Sequence, residues 1–525
     1  RISSRRQPAS STFVSLMRYR TRVSCGEEVI LMAVRRFVCL ALMLGAALCA
    51  QGQPTNDIDL ADSAWPIYHA NTRATASSST LGPGTAESAQ TVRSLTKRRW
   101  RKPLVSPWTV MAAPYPDGTQ AVFTTPNDGI AKYAIIDGQL EAVDFLPLDR
   151  KFFDFDWGIL LLNNGWGVAT EQKRDRFVLF GDVHSGPRSP IEIKGEIVVD
   201  RARHGSLSAH FSVTPDGHLI TLTGANKLLA IDIAARQIVA TMDLPAQSGT
   251  PFHNSFPIDE RGRLYLSTQQ QMTAVDWTGS EFRLAWSAAY DMRGPGCEDV
   301  PEDRRPRDEF IAVARGKTCT GSGTTPTIIG DTESGIVVIV DGHAPKNHLV
   351  AFWRDEPPAD WTALPDPNRP GETLDRRVAG VFPLPLSSPE GAGFTAENSP
   401  AALGNATIVA QWAGFKPKRQ SPRGVQRVDW LPGARRFELI WANPDVHFNG
   451  VPTIACARPE NCQAYGMGRY GSRYAYTSLS FDTGVETGRI DLGRSDQVLD
   501  QGNNHAVAAD GSIVYSGRHV MVRIE

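Results

Sequence analysis

The chain has 525 residues with 55 basic and 56 acidic side chains, and its 41% hydrophobic content is enough for a core, which excludes a wholly disordered chain. The near-zero net charge and the lack of a long basic block argue against nucleic acid as a partner. The 46 Gly, 36 Pro and 12 Trp favour many short strands joined by turns over a helix bundle.

Residues 32–52 have the pattern of a secretory signal peptide. An Arg pair precedes an apolar run of about 12 residues and a small-residue cleavage site. The run is shorter than the roughly 20 residues that span a bilayer. We therefore expect cleavage, a periplasmic or secreted product and no transmembrane segment in it. Lipid attachment to Cys49 is the alternative, although Leu48 stands where a lipobox has a small residue. Residues 1–31 are an upstream extension to which no fold is assigned.

Removal of residues 1–52 leaves an acidic chain of 473 residues with 47 basic and 54 acidic side chains. Four cysteines remain, an even number that suits an oxidising compartment. Proximity in sequence favours the pairs Cys297–Cys319 and Cys456–Cys462, and four free thiols are the alternative. No C-x-x-C pair or nearby histidine pair accompanies them, so we predict no metal site.

A four-strand pattern recurs along the rest of the chain. In residues 208–244 a Pro-Asp-Gly turn separates two apolar strands, and further turns lead to two more. Similar units lie at 111–148, 154–182, 253–289 and 503–525, and others begin near Thr324, Asn398 and Asn449. The typical period is about 45–55 residues, as in propeller blades.

These repeats predict an all-β fold, a single β-propeller over residues 104–525. A four-stranded unit cannot bury both faces alone, so each unit packs on its neighbours. We expect about eight blades, with seven as the alternative to eight and a β-sandwich followed by an unrelated domain as the alternative fold. The last unit ends after three strands, and the N-terminal arm or linker, residues 53–103, is expected to complete it and close the ring.

Two units, AIDIAARQIVATMDLP and SFDTGVETGRIDLG, resemble the repeat of the PQQ-type (quinoprotein-like) β-propeller superfamily. In that repeat an Asp after an apolar strand precedes a turn and an outer strand. Trp65-Pro66 with Tyr68, followed by residues 71–73, also resembles the N-terminal segment of such proteins. The resemblance implies the propeller fold and permits a periplasmic oxidoreductase that uses PQQ with Ca²⁺. Adjacent cysteines, which stack over the quinone in several of those enzymes, do not occur in this chain.

Polar residues recur where the first strand of each unit begins. In a propeller these starts surround the central channel at one face, so their side chains converge there. The ligand-binding candidates are His210, Asn254, Ser255, Thr324, Thr325, Asn398, Asn449 and Asn504. We expect His253 or His505 to act as a general base with Glu397 as the companion acid, because imidazole exchanges protons near neutral pH.

Two interpretations of this polar ring stay open. The side chains cap turns and hold channel water, or they bind a small polar ligand.

Three function classes follow. The first is an exported, monomeric binding or scaffold propeller that takes a ligand or a partner protein at its channel face. The second is the quinone-dependent oxidoreductase, and the third is a cofactor-free hydrolase or lyase. The fold alone does not choose among them.

Overall fold

The computed structural model describes residues 59–84, 87–95, 108–126, 128–149, 158–245, 255–292, 322–331, 335–343, 346–387, 398–412, 423–458, 461–498, 505–517 and 519–525. This part of the chain is nearly all β, with one short α-helix, α1 (Arg201–His204). No helix within it is both long enough and apolar enough to cross a membrane.

The strands form eight sheets, the blades, which we number in chain order. Strands β1 (Ser77–Ser78) and β2 (Ala89–Arg93) precede the first blade. Blade 1 contains β3 (Thr109–Met111), β4 (Gln120–Thr124), β5 (Gly129–Ile136) and β6 (Gln139–Pro147), and blade 2 contains β7 (Ile159–Leu161), β8 (Trp166–Glu171), β9 (Arg176–Asp182) and β10 (Ile191–Val198). Blade 3 contains β11 (Leu207–Val213), β12 (His218–Thr223), β13 (Lys227–Asp232) and β14 (Gln237–Asp243), and blade 4 contains β15 (Arg263–Ser267), β16 (Gln271–Trp277) and β17 (Phe282–Ala289).

The remaining blades repeat the same arrangement. Blade 5 contains β18 (Thr327–Ile329), β19 (Ile336–Val340), β20 (His348–Trp353) and β21 (Val378–Pro383), and blade 6 contains β22 (Ala401–Leu403), β23 (Ala406–Ala410), β24 (Arg423–Leu431) and β25 (Arg436–His447). Blade 7 contains β26 (Thr453–Ala455), β27 (Gln463–Tyr470), β28 (Arg473–Ser480) and β29 (Glu486–Gly493), and blade 8 contains β30 (His505–Val507), β31 (Ile513–Ser516) and β32 (Val520–Ile524).

In six blades four consecutive strands pair antiparallel as a meander. Blade 4 retains its inner strand only as a bridge between Ile258 and Leu264. In blade 8 the outer strand is β2, which pairs antiparallel with β32, and the inner strands β30 and β3 are in contact. The ring is therefore closed by an N-terminal strand, and the prediction of an all-β propeller with eight blades is confirmed.

The core lies between the blades. The middle strands, such as β5 and β13, are buried along most of their length, whereas the outer strand β14 alternates between exposed and half-buried residues. The hairpins that leave the inner strands turn at glycines in the left-handed region, for example Gly118 (φ 81°) and Gly217 (φ 82°). This backbone conformation suits glycine because it has no Cβ, which explains the recurrent Asp-Gly signal in the sequence.

Residues 59–78, which we call the strap, lie in the central channel. The strap hydrogen-bonds to the inner strands of six blades through its backbone carbonyls. The donors and acceptors are Met111 N to Trp65 O, Leu161 N to Pro66 O, Ile258 N to Thr72 O, Ile328 N to Arg73 O, Ala402 N to Thr75 O and Ile454 N to Ala76 O, at 2.7–3.0 Å. These bonds satisfy amides on the channel edge of the inner strands, which no neighbouring strand of the same blade can reach.

A disulfide joins Cys456 to Cys462 in the hairpin between β26 and β27. This confirms one predicted pair. The other predicted pair, Cys297–Cys319, lies outside the described residues.

Candidate functional site

A small cavity lies at one end of the channel, where the strap meets the inner-strand starts of blades 1 to 5. We call it the entrance cavity. Its volume is about 20 Å³, which is room for one group of the size of a water molecule. Its walls include Tyr68 and His69 from the strap, and Trp108, Phe211 and Ser212 from the blades.

Aromatic rings form one side of the entrance cavity. The rings of Tyr68 and Trp108 stack with centroids 3.7 Å apart and an interplanar angle of 3°. The His69 ring lies 3.6 Å from the Tyr68 ring, tilted by 44°. His210, a predicted ligand-binding residue, is half-buried beside this stack, with its ring centroid 6.1 Å from that of Trp108. This side of the cavity is formed by flat rings, which suits contact with a planar or apolar group.

His69 is the unusual member of the cavity wall. Its side chain is fully buried, and neither ring nitrogen has a hydrogen-bond partner among the described residues. Burial lowers its pKa to about 3, so the ring is neutral at physiological pH. The residue also adopts a left-handed φ of 59°, a conformation that few non-glycine residues adopt, although histidine does so more often than most.

Ser212 is a second unsatisfied group in the same wall. It is buried, and its hydroxyl has no partner in the described part of the chain. A buried polar group without a hydrogen bond costs about 1–3 kcal/mol. Two such groups around one cavity indicate a place for a polar occupant.

Two residues predicted from the sequence, Ser255 and Thr325, also line the entrance cavity. Their hydroxyls hydrogen-bond to each other across blades 4 and 5. The backbone amide of Thr325 donates to Ser399 Oγ in blade 6 at 2.8 Å. These inner-strand starts therefore join three blades in addition to forming part of the wall.

Three other predicted binding residues do not line the cavity that the described residues form. Thr324 Oγ1 accepts the backbone amide of Val340 at 3.2 Å within its own blade. Asn398 is buried, and its Nδ2 has no partner among the described residues. The backbone amide of Asn449 donates to Met467 O at 2.8 Å. The structure thus brings Ser255 and Thr325 together at the cavity, whereas the other described binding candidates, His210, Thr324, Asn398 and Asn449, are not among its lining residues.

The predicted general base His505 is buried at the interface of blades 7 and 8. Its ring centroid lies 5.2 Å from those of both Tyr476 and Tyr515, and only 1% of the residue is exposed. The other candidates, His253, Asn254, Glu397 and Asn504, lie outside the described residues. The catalytic roles of His253, His505 and Glu397 stay predictions.

A separate polar cluster joins blades 4 and 5. The buried carboxylate of Asp341 accepts hydrogen bonds from Tyr290 Oη at 2.8 Å and from His348 Nδ1 at 2.9 Å. Burial and the neighbouring Asp341 raise the pKa of Tyr290 well above its usual value, so its hydroxyl remains a donor. This network ties the end of blade 4 to the hairpin between β19 and β20.

The described residues do not fit PQQ with Ca²⁺. Among them, no group of three or more His, Cys, Asp or Glu side chains lies close enough to hold a metal ion, and Ca²⁺ requires six to eight oxygen ligands. The entrance cavity, at about 20 Å³, is also far below the roughly 300 Å³ or more of a typical cofactor pocket.

Sequence reasoning missed Tyr68, His69, Trp108 and Ser212. Trp108 directly precedes the first strand of blade 1, the same position as the polar candidates, so its place along the chain was a usable signal. Ser212 lies two residues after His210 on β11. The two strap residues carried no periodic signal.

The fold and the cavity define an eight-bladed β-propeller with a strapped channel and an entrance cavity whose described wall residues carry no Asp, Glu, Lys or Arg side chain. No family model matches the chain. It is similar to a protein of Archaeoglobus fulgidus described as uncharacterized, with 24% identity over 455 residues that cover 81% of this chain and 80% of that protein. It is also similar to the solved quinohemoprotein alcohol dehydrogenase of Comamonas testosteroni (TM-score 0.49, 12% identity, 88% of this chain and 80% of that one). A third similar protein is BamB of Moraxella catarrhalis (TM-score 0.40, 9% identity, 68% of this chain and 85% of that one).

Proposed function

We propose that this protein is a binding propeller that takes a small ligand at the entrance cavity. The observation that supports this most directly is His69, a fully buried imidazole without a hydrogen-bond partner among the described residues. Folding leaves such a group unsatisfied at a cost, and an occupant that hydrogen-bonds to it removes that cost.

Binding is favoured over catalysis by the chemistry of the cavity wall. Among its described residues only His69 titrates near neutral pH in its ordinary state, and burial lowers its pKa to about 3. A general base needs a pKa near the working pH. His69 is therefore suited to hold a ligand by hydrogen bonds rather than to transfer protons.

Calorimetric titration of the mature protein with phenol, benzyl alcohol and benzamide at millimolar concentration tests the proposal. We expect saturable binding of at least one probe to the wild type. Ser212→Leu fills the cavity and should abolish that binding, whereas Ser280→Leu, in an exposed turn, should leave it unchanged. If the wild type binds none of the probes, the proposal is wrong.

We also propose that the protein acts outside the cytoplasm, as a periplasmic or secreted protein. The signal-peptide pattern of residues 32–52 and the Cys456–Cys462 disulfide support this. Expression from Met32 in a Gram-negative host should yield a periplasmic product that lacks residues 32–52. Leu42→Arg, which places a charge in the apolar run, should block export. Processing that depends on Cys49 in a Cys49→Ser comparison would favour the lipoprotein alternative, and an unprocessed cytoplasmic product would contradict export.

A further inference from the structure

We infer that the ligand of the entrance cavity inserts one uncharged group that both donates and accepts hydrogen bonds, as a primary alcohol or a carboxamide does. This inference rests on the proposed function and names the chemistry of its ligand. It is carried by the charge, the hydrogen-bonding capacity and the size of the cavity.

The described residues of the cavity wall offer no charge to a charged ligand. They include no Asp, Glu, Lys or Arg, and the one histidine among them is neutral. Transferring a carboxylate or an ammonium group into such a site without a counter-ion loses its hydration and gains no ion pair. An uncharged polar group avoids this penalty.

The unsatisfied groups of the wall require both kinds of hydrogen-bonding atom. A neutral imidazole has one N–H donor and one nitrogen acceptor, and a serine hydroxyl can do either. His69 and Ser212 both line this cavity, and together they carry at least one donor and one acceptor without a partner among the described residues. A carboxylate only accepts and an ammonium only donates, so each leaves part of this set unpaired.

Three other polar side chains of the wall, Asn71, Ser255 and Thr325, already have hydrogen-bond partners. Asn71 Nδ2 donates to Thr75 Oγ1 at 2.7 Å, and Asn71 Oδ1 accepts the backbone amide of Arg73 at 3.1 Å. The hydroxyls of Ser255 and Thr325 bond to each other. We therefore assign recognition of the inserted group to His69 and Ser212, whose buried polar atoms have no partner among the described residues.

The size of the cavity limits what enters it. A volume of about 20 Å³ admits a hydroxyl, or the oxygen or nitrogen end of a carboxamide, but no ring. The rest of the ligand must lie outside, and Tyr68 is half-buried at this position with its ring stacked on Trp108. An aromatic or other flat apolar body attached to the polar group is therefore the matching shape.

Four one-ring compounds that differ in the polar group provide the test: benzyl alcohol, benzamide, benzoate and benzylamine. Calorimetric titration of the mature wild-type protein at neutral pH should show benzyl alcohol or benzamide binding at least about tenfold more tightly than benzoate and benzylamine. His69→Phe keeps a ring and removes the donor and the acceptor, and it should abolish this preference. Ser212→Ala is the second variant, in case His69→Phe does not fold by circular dichroism, and it should weaken the preference.

The outcomes separate the two proposals. If benzoate or benzylamine binds as tightly as the neutral compounds, the inference about ligand chemistry is wrong while the binding function stands. If none of the four binds the wild type, the proposed function itself fails, because the cavity then holds water alone. If the preference survives in both His69→Phe and Ser212→Ala, recognition lies elsewhere and the inference is overturned.

Discussion

Replacing His69 with asparagine should remove a defined part of the acid sensitivity of this protein. The folded state holds the imidazole at a pKa of about 3 because it is buried, against an ordinary value of 6.5. No described charged side chain lines the cavity to offset this. Below pH 6.5 the unfolded chain therefore binds a proton at residue 69 that the folded chain does not. The free energy of unfolding then decreases as the pH decreases. This loss of stability is absent well above pH 6.5. It grows as the pH decreases, until the pH reaches the folded-state pKa of about 3.

The size of the effect follows from the two pKa values. At about pH 5 the unfolded imidazole is almost fully protonated and the folded one is still neutral, which lowers the free energy of unfolding by about 2 kcal/mol relative to pH 8. Any folded-state pKa well below 5 gives nearly the same change in the free energy of unfolding. This change therefore shows whether burial keeps the His69 imidazole neutral at pH 5.

Urea unfolding at about pH 8 and pH 5 measures the effect, with the free energy of unfolding extrapolated to water. Asparagine accepts the left-handed φ of 59° at this position and does not titrate. His184→Asn, at an exposed histidine between β9 and β10, is the matched control and should keep the wild-type pH dependence. If the wild type and His69→Asn lose the same free energy on acidification, His69 is not held neutral by burial and the reasoning is refuted.

Three further predictions concern the framework around the site. Asp182→Asn leaves the buried ammonium of Lys132 without its counter-ion 2.5 Å away and should cost about 3–5 kcal/mol in urea unfolding, whereas adding Lys132→Met should restore part of the loss. Replacing both members of the Cys456–Cys462 disulfide with serine opens a small loop and should cost about 2 kcal/mol, and reductant should then lower the stability of the variant by less than that of the wild type. Gly158→Ala would place a Cβ 2.0 Å from a backbone carbonyl of the neighbouring inner strand, so thermal unfolding should show a loss of at least about 1–3 kcal/mol, while Gly433→Ala, in open space, should be neutral.

The blades were predictable because their signals are local. Each hairpin between the first and second strands is set by a few consecutive residues, such as Asp117-Gly118, where the aspartate side chain accepts the backbone amide of Thr119 at 3.0 Å. Apolar alternation then defines the strands on either side. Eight such units leave few ways to bury all of their faces other than a ring.

The strap was not predictable from periodicity. A strand pairs with one or two partners and shows a period of two, whereas the strap bonds to inner strands of six blades in turn. Its backbone reverses at residues such as His69 and Ala74, which have φ values of 59° and 58°. The sequence around them has the pattern of a linker, because these contacts are made by backbone carbonyls, which every residue type has.

The candidate site was predictable only in part, because part of its wall belongs to the strap. The rule that inner-strand starts converge found Ser255 and Thr325, which do line the entrance cavity. It did not find His69, because that residue reaches the cavity from the strap rather than from a blade. It also selected His505, whose side chain packs between two tyrosines at the interface of blades 7 and 8 and whose catalytic role stays a prediction.

The strap connects the ring of blades to the entrance cavity. Tyr68 and His69 form one wall of the entrance cavity, and the carbonyls on either side of them, from Trp65 to Ala76, accept amides from six blades. The cavity therefore exists only while the strap is seated among the inner strands. A ligand that binds this assembled site and not the open chain must stabilise the closed ring, by an amount set by its concentration relative to its dissociation constant. Under the proposed function, binding at the entrance cavity and closure of the propeller are thermodynamically linked, so a ligand should raise the free energy of unfolding.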